Sequence, residues 1–249
     1  KSNFFQALTF FLSFTINSGP KLQIGDGIAT EPFFFSKQTR NETSTFELIF
    51  FLDGVRYRYG ISVDNHIVHQ EYLFAVKKVQ EVKLFTRVNQ DIEINSTYFK
   101  EGQKLKKAVR ENASFLSICA QLNGETAKMI ISYMQNCIVI PKHSRKGRDI
   151  TLDFVEKKGS DAVIKFLSFT GIQIKDIRQE EKVYFGHTVY NGTEAVGSQY
   201  LELDEESDGT VQLFDYAGSL LDTLERGTPL FIDDFDSWLH PLIIEAIVK

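Results

Sequence analysis

Alternation of apolar and polar residues dominates the first half of the chain. Residues 46–52 are a mostly apolar run, and residues 55–61 alternate with a period of two, which is typical of a strand with one solvent-exposed face. Asp53-Gly54, between these two segments, is a strong signal for a hairpin turn. Similar segments follow at residues 67–74, 82–87 and 92–94. This part of the chain is therefore predicted to form a mostly antiparallel sheet.

Helical spacing of apolar residues marks other parts of the chain. Residues 2–18 are predicted to form a helix that ends at Gly19-Pro20. After residue 101 the pattern is again helical, with Asn123-Gly124 as a break. Further predicted elements are helices at residues 160–168 and 211–224 and strands at residues 171–177, 183–190 and 200–203.

Two adjacent carboxylates follow a short apolar run near the end of the sequence. The run, residues 230–232, is typical of a buried strand in a parallel sheet, and Asp233 and Asp234 come directly after it. Ligands of open α/β sheets bind beyond the carboxyl ends of the strands. A carboxylate pair at that position suits Mg²⁺ and an activated water. The alternative is a solvated turn, in which Asp is common.

The first residues match the end of a phosphate-binding loop. Lys1-Ser2-Asn3 precedes an apolar helix, as in the pattern G-x-x-x-x-G-K-[ST]. If the glycines precede Lys1, then Lys1 reaches the phosphates of a nucleotide and Ser2 ligates Mg²⁺. The alternative is an arbitrary Lys-Ser at the end of a fragment.

A third candidate lies before the predicted helix at residues 211–224. The segment Glu206-Ser207-Asp208-Gly209-Thr210 has two interpretations. Ser207 or Thr210 caps the helix, or the Ser207 hydroxyl and the Gly209 amide bind a phosphate at the helix N-terminus.

The order and the spacing of these candidate segments resemble those of ABC-type ATPases of the SMC- and RecF-like branch. Within that branch the chain is similar to prokaryotic AAA-family ATPases of phage-defence and abortive-infection systems, of the overcoming-lysogenisation-defect type. The match is carried by residues 1–3 as the end of Walker A, 206–210 as a shortened signature motif, 230–234 as Walker B and 235–241 as the D-loop. The Walker A glycines and the H-loop histidine are expected outside residues 1–249.

The resemblance implies an α/β fold, a P-loop ABC-type ATPase head with a mixed sheet, an antiparallel β subdomain and an inserted helical lobe. The corresponding boundaries are residues 1–100 for the N-terminal part of the head, 101–170 for the lobe and 171–249 for the C-terminal part. ATP and Mg²⁺ are the implied cofactors. The implied activity is ATP binding and hydrolysis that switches a dimer, in the cytoplasm.

Site residues follow from the same resemblance. Lys1, Ser2 and Asn3 would hold the phosphates, while Ser2 and Asp233 would hold Mg²⁺. Asp234 would orient or deprotonate the attacking water. Because the family usually has Glu at this position, one methylene longer, we expect slow hydrolysis.

The second half of the implied site faces another copy of the chain. Ser207, Gly209 and Asp236 would complete the partner's nucleotide site, so that ATP is sandwiched in a homodimer or a higher oligomer. An effector protein, a nuclease or toxin, is the further expected partner. The alternatives are an ATP-bound scaffold that does not hydrolyse and holds a toxic effector, and a DNA-repair ATPase.

The composition of the chain narrows the list of its possible functions and partners. A net charge of −5 argues against a strongly basic nucleic-acid binder. A local basic cluster, Lys142-His143-Ser144-Arg145-Lys146-Gly147-Arg148, lies in a predicted loop and leaves nucleic-acid contact open. Cys119 and Cys137 fit no zinc spacing and are expected to be buried thiols. No segment has the length of a membrane span.

Overall fold

The computed structural model describes residues 2–31, 39, 42–76, 79–142, 144–237 and 239–248. Contacts between residues divide the chain into two compact units. One unit contains residues 6–136, and the other contains residues 2–5 together with residues 137–248. The predicted boundaries after residues 100 and 170 stay predictions. No helix in the described ranges is both long and apolar enough to span a lipid bilayer.

A five-stranded antiparallel sheet dominates the first unit and confirms the predicted strands. The strands are β1 (Ser44–Leu52), β2 (Val55–Val63), β3 (Val68–Val76), β4 (Glu81–Val88) and β5 (Asp91–Ile94), and they pair in this order. Asp53 and Gly54 have φ values of 50° and 75°. These left-handed conformations are those of a tight hairpin turn between β1 and β2.

The described helices of this unit include α1 (Ser2–Lys21), of which residues 6–21 belong here, a 3₁₀-helix (Lys100–Ala108), α2 (Phe115–Gln121) and α3 (Glu125–Gln135). Helix α1 continues past its predicted end and includes Pro20. Proline has no N–H for the carbonyl of Ile16. Instead, the Ser117 hydroxyl donates to Ile16 O (3.2 Å) and accepts from Gly19 N (2.9 Å). This distant serine replaces the hydrogen bond that the proline removes.

A fully buried ion pair connects the sheet to α2. The Glu71 carboxylate on β3 lies 3.5 Å from the Arg87 guanidinium on β4. Glu71 also accepts hydrogen bonds from the backbone amides of Phe115 (2.6 Å) and Leu116 (3.0 Å), the first two residues of α2. Glu71 thereby satisfies amides that the helix itself leaves without partners.

The second unit contains short parallel strands and an antiparallel sheet. Its elements are β6 (Ile138–Ile140), α4 (Lys146–Lys158), α5 (Asp161–Phe169), β7 (Asp176–Gln179), β8 (Val183–Asn191), β9 (Glu194–Glu202), α6 (Asp208–Arg226), β10 (Leu230–Ile232) and α7 (Pro241–Val248). Strands β6 and β10 are parallel, and β7, β8 and β9 form an antiparallel sheet. Among the described residues, the parallel and antiparallel strands belong to separate sheets.

Two sequence predictions in this unit are wrong. Residues 171–177 are not one strand, because β7 begins only at Asp176. Gly171 has a φ of 93°, and Ile174 is buried in the core before the strand starts. The predicted loop at residues 142–148 is also partly helical, since α4 begins at Lys146.

Helices α4 and α6 pack closely through two glycines. A Cβ on Gly147 would lie 2.7 Å from the carbonyl oxygen of Asp215, and a Cβ on Gly218 would lie 2.4 Å from Thr151 Cα. The Gly218 amide donates to the Thr151 hydroxyl at 2.8 Å. This contact sets α6 against the core, which includes Phe154, Val163, Leu167, Phe185, Leu213 and Phe214.

Gly218→Ala is expected to lower the free energy of unfolding by about 1–3 kcal/mol, the usual cost of overpacking. Alanine favours a helix over glycine by about 1 kcal/mol, but here its methyl would meet backbone atoms that cannot rotate away. Urea unfolding measures the change. Gly197→Ala is the control, since a Cβ there would have no atom within 4 Å. Equal stabilities of the two variants would contradict close packing of α4 on α6.

Candidate functional site

The parallel pair β6 and β10 places two carboxylates at one edge of a sheet. Ile232 lies opposite Ile140, and the Asp233 amide donates to Ile140 O at 3.0 Å. Asp233 therefore continues the strand pairing by one residue. The predicted strand at residues 230–232 is confirmed, and its pairing is parallel as expected, but its three residues are only partly buried rather than buried.

The burial of Asp233 is typical of a residue that contacts a ligand. The residue is only 4% exposed, and within the described part of the chain its Oδ1 atom has no hydrogen-bond partner. An unsatisfied buried polar group costs about 1–3 kcal/mol, and more when it is charged. Such a cost is tolerated where a ligand supplies the missing contact.

The donor set fits Mg²⁺. This ion takes oxygen ligands and commonly uses one or two carboxylates together with the phosphates of a substrate. In the described ranges, no group of three or more His, Cys, Asp or Glu side chains is arranged to hold a metal. A site that shares its ion with a nucleotide needs no such group. Asp233 would hold the ion directly or through water.

Asp234 adopts an unusual backbone conformation. Its φ is 51°, and its carbonyl accepts a hydrogen bond from Ser237 N at 2.9 Å. Its carboxylate forms an ion pair with the Nζ atom of Lys142, which follows β6. Asp234 raises the pKa of Lys142 through this contact. The sequence predicted the carboxylate but not its lysine partner.

The start of α1 belongs to the same compact unit as the two carboxylates. Residues 2–5 group with residues 137–248 rather than with the remainder of the helix. Ser2 is the first residue of α1, and Asn3 is exposed. Lys1 lies outside the described residues. The start of α1 and β10 are thus in one compact unit. This is compatible with a single site formed by a phosphate-binding loop and a Walker B strand.

Ser207 caps α6. Its hydroxyl accepts a hydrogen bond from Thr210 N at 3.2 Å and lies 2.9 Å from the Thr210 hydroxyl. Gly209 lies in the first turn of the helix. The capping interpretation is therefore confirmed, and Ser207 remains exposed at the helix N-terminus. The phosphate-binding interpretation uses the same geometry and stays a prediction.

The acidic residues before α6 have protein partners. Arg148 on α4 lies 3.1 Å from Asp204, and His187 on β8 lies 2.6 Å from Glu206. Glu205 accepts a hydrogen bond from Glu202 N at 3.1 Å. The Arg148 contact offsets the charge of Asp204 beside the N-terminus of α6. No local pattern in the sequence indicates the partners of Asp204 and Glu206, because these partners are 56 and 19 residues away.

A comparison with protein families identifies the chain. It matches the family model described as "AAA domain, putative AbiEii toxin, Type IV TA system" over residues 1–128 and 138–249. The chain belongs to this AAA-domain family. The predicted resemblance to AAA-family ATPases of abortive-infection systems is thereby confirmed, whereas the SMC- and RecF-like branch stays a prediction. No curated protein matches the chain.

The segment after β10 turns back into the core of this AAA domain. Phe235 packs against Tyr216 on α6 with ring centroids 5.5 Å apart, and Leu239 is only 6% exposed. Asp236 is exposed on this turn. His240 accepts a hydrogen bond from Leu242 N at 3.3 Å and so caps the start of α7. Anchored on both sides, the turn presents Asp236 to solvent.

The basic cluster of the AAA domain is not a uniform cationic loop. Lys142 is paired with Asp234, and Arg148 bridges Asp204 and Asp215, the latter at 2.8 Å. His143 lies outside the described residues. Arg145 and Lys146 are exposed. With two cations already engaged by carboxylates, nucleic-acid contact at this cluster stays a prediction.

The two cysteines of the AAA domain are thiols, as predicted, but only Cys119 is buried and Cys137 is partly buried. Burial is the largest of the causes that raise the pKa of Cys119, and it raises the pKa of Cys137 to about 11. Both side chains are therefore protonated at neutral pH. Since the thiolate is the reactive form, neither is suited to nucleophilic chemistry.

Proposed function

We propose that this AAA domain binds ATP with Mg²⁺ and hydrolyses it slowly, and that ATP binding switches a homodimer. The observation that carries the proposal is the buried Asp233 carboxylate, which has an oxygen without a partner at the end of β10. Membership in an AAA-domain family supports a nucleotide as the ligand. Magnesium-dependent turnover of ATP by the intact protein tests it, and an absence of both turnover and ATP binding would contradict it.

Each half of the site has a defined role in this proposal. Lys1, Ser2 and Asn3 hold the phosphates, and the N-terminus of α1 adds a favourable dipole. Ser2 and Asp233 would hold Mg²⁺, which would supply positive charge to the phosphates. Asp234 orients the water that attacks the γ-phosphate. Its short side chain favours slow turnover.

The exposed N-terminus of α6 supports the proposed homodimer. Ser207 and Gly209 lie in a first helical turn that favours anions. The acidic residues preceding this turn are paired within the chain, so the turn is compatible with a phosphate. We infer that the phosphate belongs to ATP on a second copy and that Asp236 lies along the interface.

Ser207→Asp is expected to weaken ATP-dependent dimerisation at least tenfold, because like charges across an interface cost several kcal/mol. Asp caps helices about as well as Ser, so the fold and the binding of ATP to the monomer should be preserved. Ser207→Asn is the matched control, since it caps equally well without adding charge. Sedimentation with and without ATP measures the change. A Ser207→Asp protein that dimerises normally would exclude Ser207 from the interface.

The biological setting is inferred from the family description, which names a toxin and a type IV toxin–antitoxin system. We propose that the protein is the ATPase or sensor component of a bacterial antiviral system of the abortive-infection kind. An effector protein, a nuclease or toxin, would then be its partner.

A second candidate is an ATP-bound scaffold without turnover. The short side chain of Asp234 favours it, because the resemblance implies the longer glutamate at this position for the water-orienting group. Tight binding of ATP without hydrolysis would establish the scaffold. Turnover that depends on Asp233 would establish the ATPase.

A further inference from the structure

Lys142 and Asp234 occupy equivalent positions on neighbouring strands. Lys142 lies two residues after the end of β6, and Asp234 lies two residues after the end of β10. The parallel register pairs Ile140 with Ile232. Both side chains therefore emerge at the same edge of the sheet, where the Lys142 ammonium contacts Oδ2 of Asp234.

The ammonium of Lys142 is one contact that fixes the direction of the Asp234 carboxylate. The backbone of Asp234 is left-handed, and the adjacent Asp233 is a second carboxylate. Like charges on neighbouring residues favour rotation of the more exposed group away from the buried one. The Asp234 side chain is 24% exposed, whereas Asp233 is 4% exposed as a residue. The ammonium of Lys142 opposes that rotation.

An ion pair at this exposure has little effect on stability. The Lys142 side chain is 42% exposed, and exposed pairs contribute about 0–1 kcal/mol. The contact is therefore better suited to orientation than to holding the fold together. An ionised carboxylate has about four acceptor positions, so Asp234 can contact Lys142 and also accept a hydrogen bond from water.

We propose that Lys142 is a positioning residue that orients Asp234 toward the attacking water. The inference rests on the proposed ATPase function. Asp234 accepts a hydrogen bond from a water whose oxygen bonds to the γ-phosphorus while the bond from that phosphorus to the ADP oxygen breaks. The proton of the water passes to Asp234 and then to the released phosphate. Lys142 acts as the third group that orients the acceptor, as in other catalytic arrangements.

The test compares Lys142→Met, Lys142→Arg and the control Lys158→Met in the intact protein. Lys158 also forms an ion pair, with Glu225, but it lies in the last turn of α4. Lys142→Met is expected to lower kcat about 10- to 100-fold, since a displacement of about 1 Å can cost about 100-fold. The Kd for Mg-ATP should stay within about twofold, because the contact is made to Asp234. Lys142→Arg should recover part of kcat.

A second comparison asks whether Lys142 acts through Asp234. The double variant Lys142→Met with Asp234→Asn should be no slower than Asp234→Asn alone, because residues that act as a unit are not additive. Additive losses would overturn the proposal, as would an unchanged or increased kcat in Lys142→Met. If the unmodified protein binds Mg-ATP but hydrolyses none, the scaffold is supported and Lys142 has no catalytic role. If it does not bind ATP, the proposed function itself fails.

Discussion

Asp233→Asn is expected to lower magnesium-dependent ATP turnover at least about 100-fold while the protein stays folded. Metal ions contribute several kcal/mol of transition-state stabilisation, and each 1.36 kcal/mol corresponds to a tenfold change in rate. Asn retains the shape of Asp but not its charge. Because Asp233 Oδ1 is buried without a partner in the described structure, removal of the charge should leave the free energy of unfolding unchanged or higher.

Initial rates at several Mg²⁺ concentrations, with thermal unfolding in parallel, measure this effect. Asp222→Asn is the control, because Asp222 pairs with Arg226 on α6 at 2.9 Å. ATP turnover by the Asp222→Asn variant should stay close to that of the unmodified protein. An Asp233→Asn protein with full turnover would remove Asp233 from the metal site. If the Asp233→Asn protein lost turnover only because it unfolded, the role of Asp233 would be structural.

Glu71→Ala is expected to lower the free energy of unfolding by about 3–5 kcal/mol, the usual cost of breaking a buried ion pair. The substitution leaves the Arg87 guanidinium fully buried and removes the acceptor for two amides at the start of α2. Burial already lowers the pKa of Arg87, and Glu71 opposes that shift. Without Glu71, the buried charge has no carboxylate to offset its desolvation.

Glu81→Ala is the matched control for this prediction. Glu81 lies 2.6 Å from Arg58, closer than the buried pair, but both side chains are about 30% exposed. Removal of the Glu81 carboxylate should lower the free energy of unfolding by at most about 1 kcal/mol. Urea unfolding and hydrogen exchange at the Phe115 and Leu116 amides measure the difference. Equal losses of stability in the two variants would contradict the claim that the burial of an ion pair matters more than the distance between its charges.

Local signals were sufficient for most of the antiparallel sheet. The apolar run of β1, the alternation of β2 and the turn at Asp53-Gly54 depend on neighbouring residues alone. The end of α1 was mispredicted because Ser117 replaces the contact that Pro20 removes. Residues 100–108 form a 3₁₀-helix and residues 146–158 an α-helix. The latter was missed because Gly147 was interpreted as a loop residue, whereas it allows close packing on α6.

The candidate site was predictable where it depends on one strand and its turn. A short apolar run followed by Asp233 and Asp234 is visible in the sequence, and the strand is present. The contacts of Lys142 with Asp234 and of His187 with Glu206 were not predictable. Each joins residues from separate elements, and only the pairing of β6 with β10 and the placement of β8 bring them together.

The measurement that tests the central claim most directly is equilibrium binding of ATP to the intact protein, with and without Mg²⁺. Lys1→Ala and Asp233→Asn serve as paired variants. Saturable binding that requires Mg²⁺ and is weakened at least about tenfold in both variants is the predicted result. An absence of saturable ATP binding, or binding that neither variant affects, would contradict the assignment of this site.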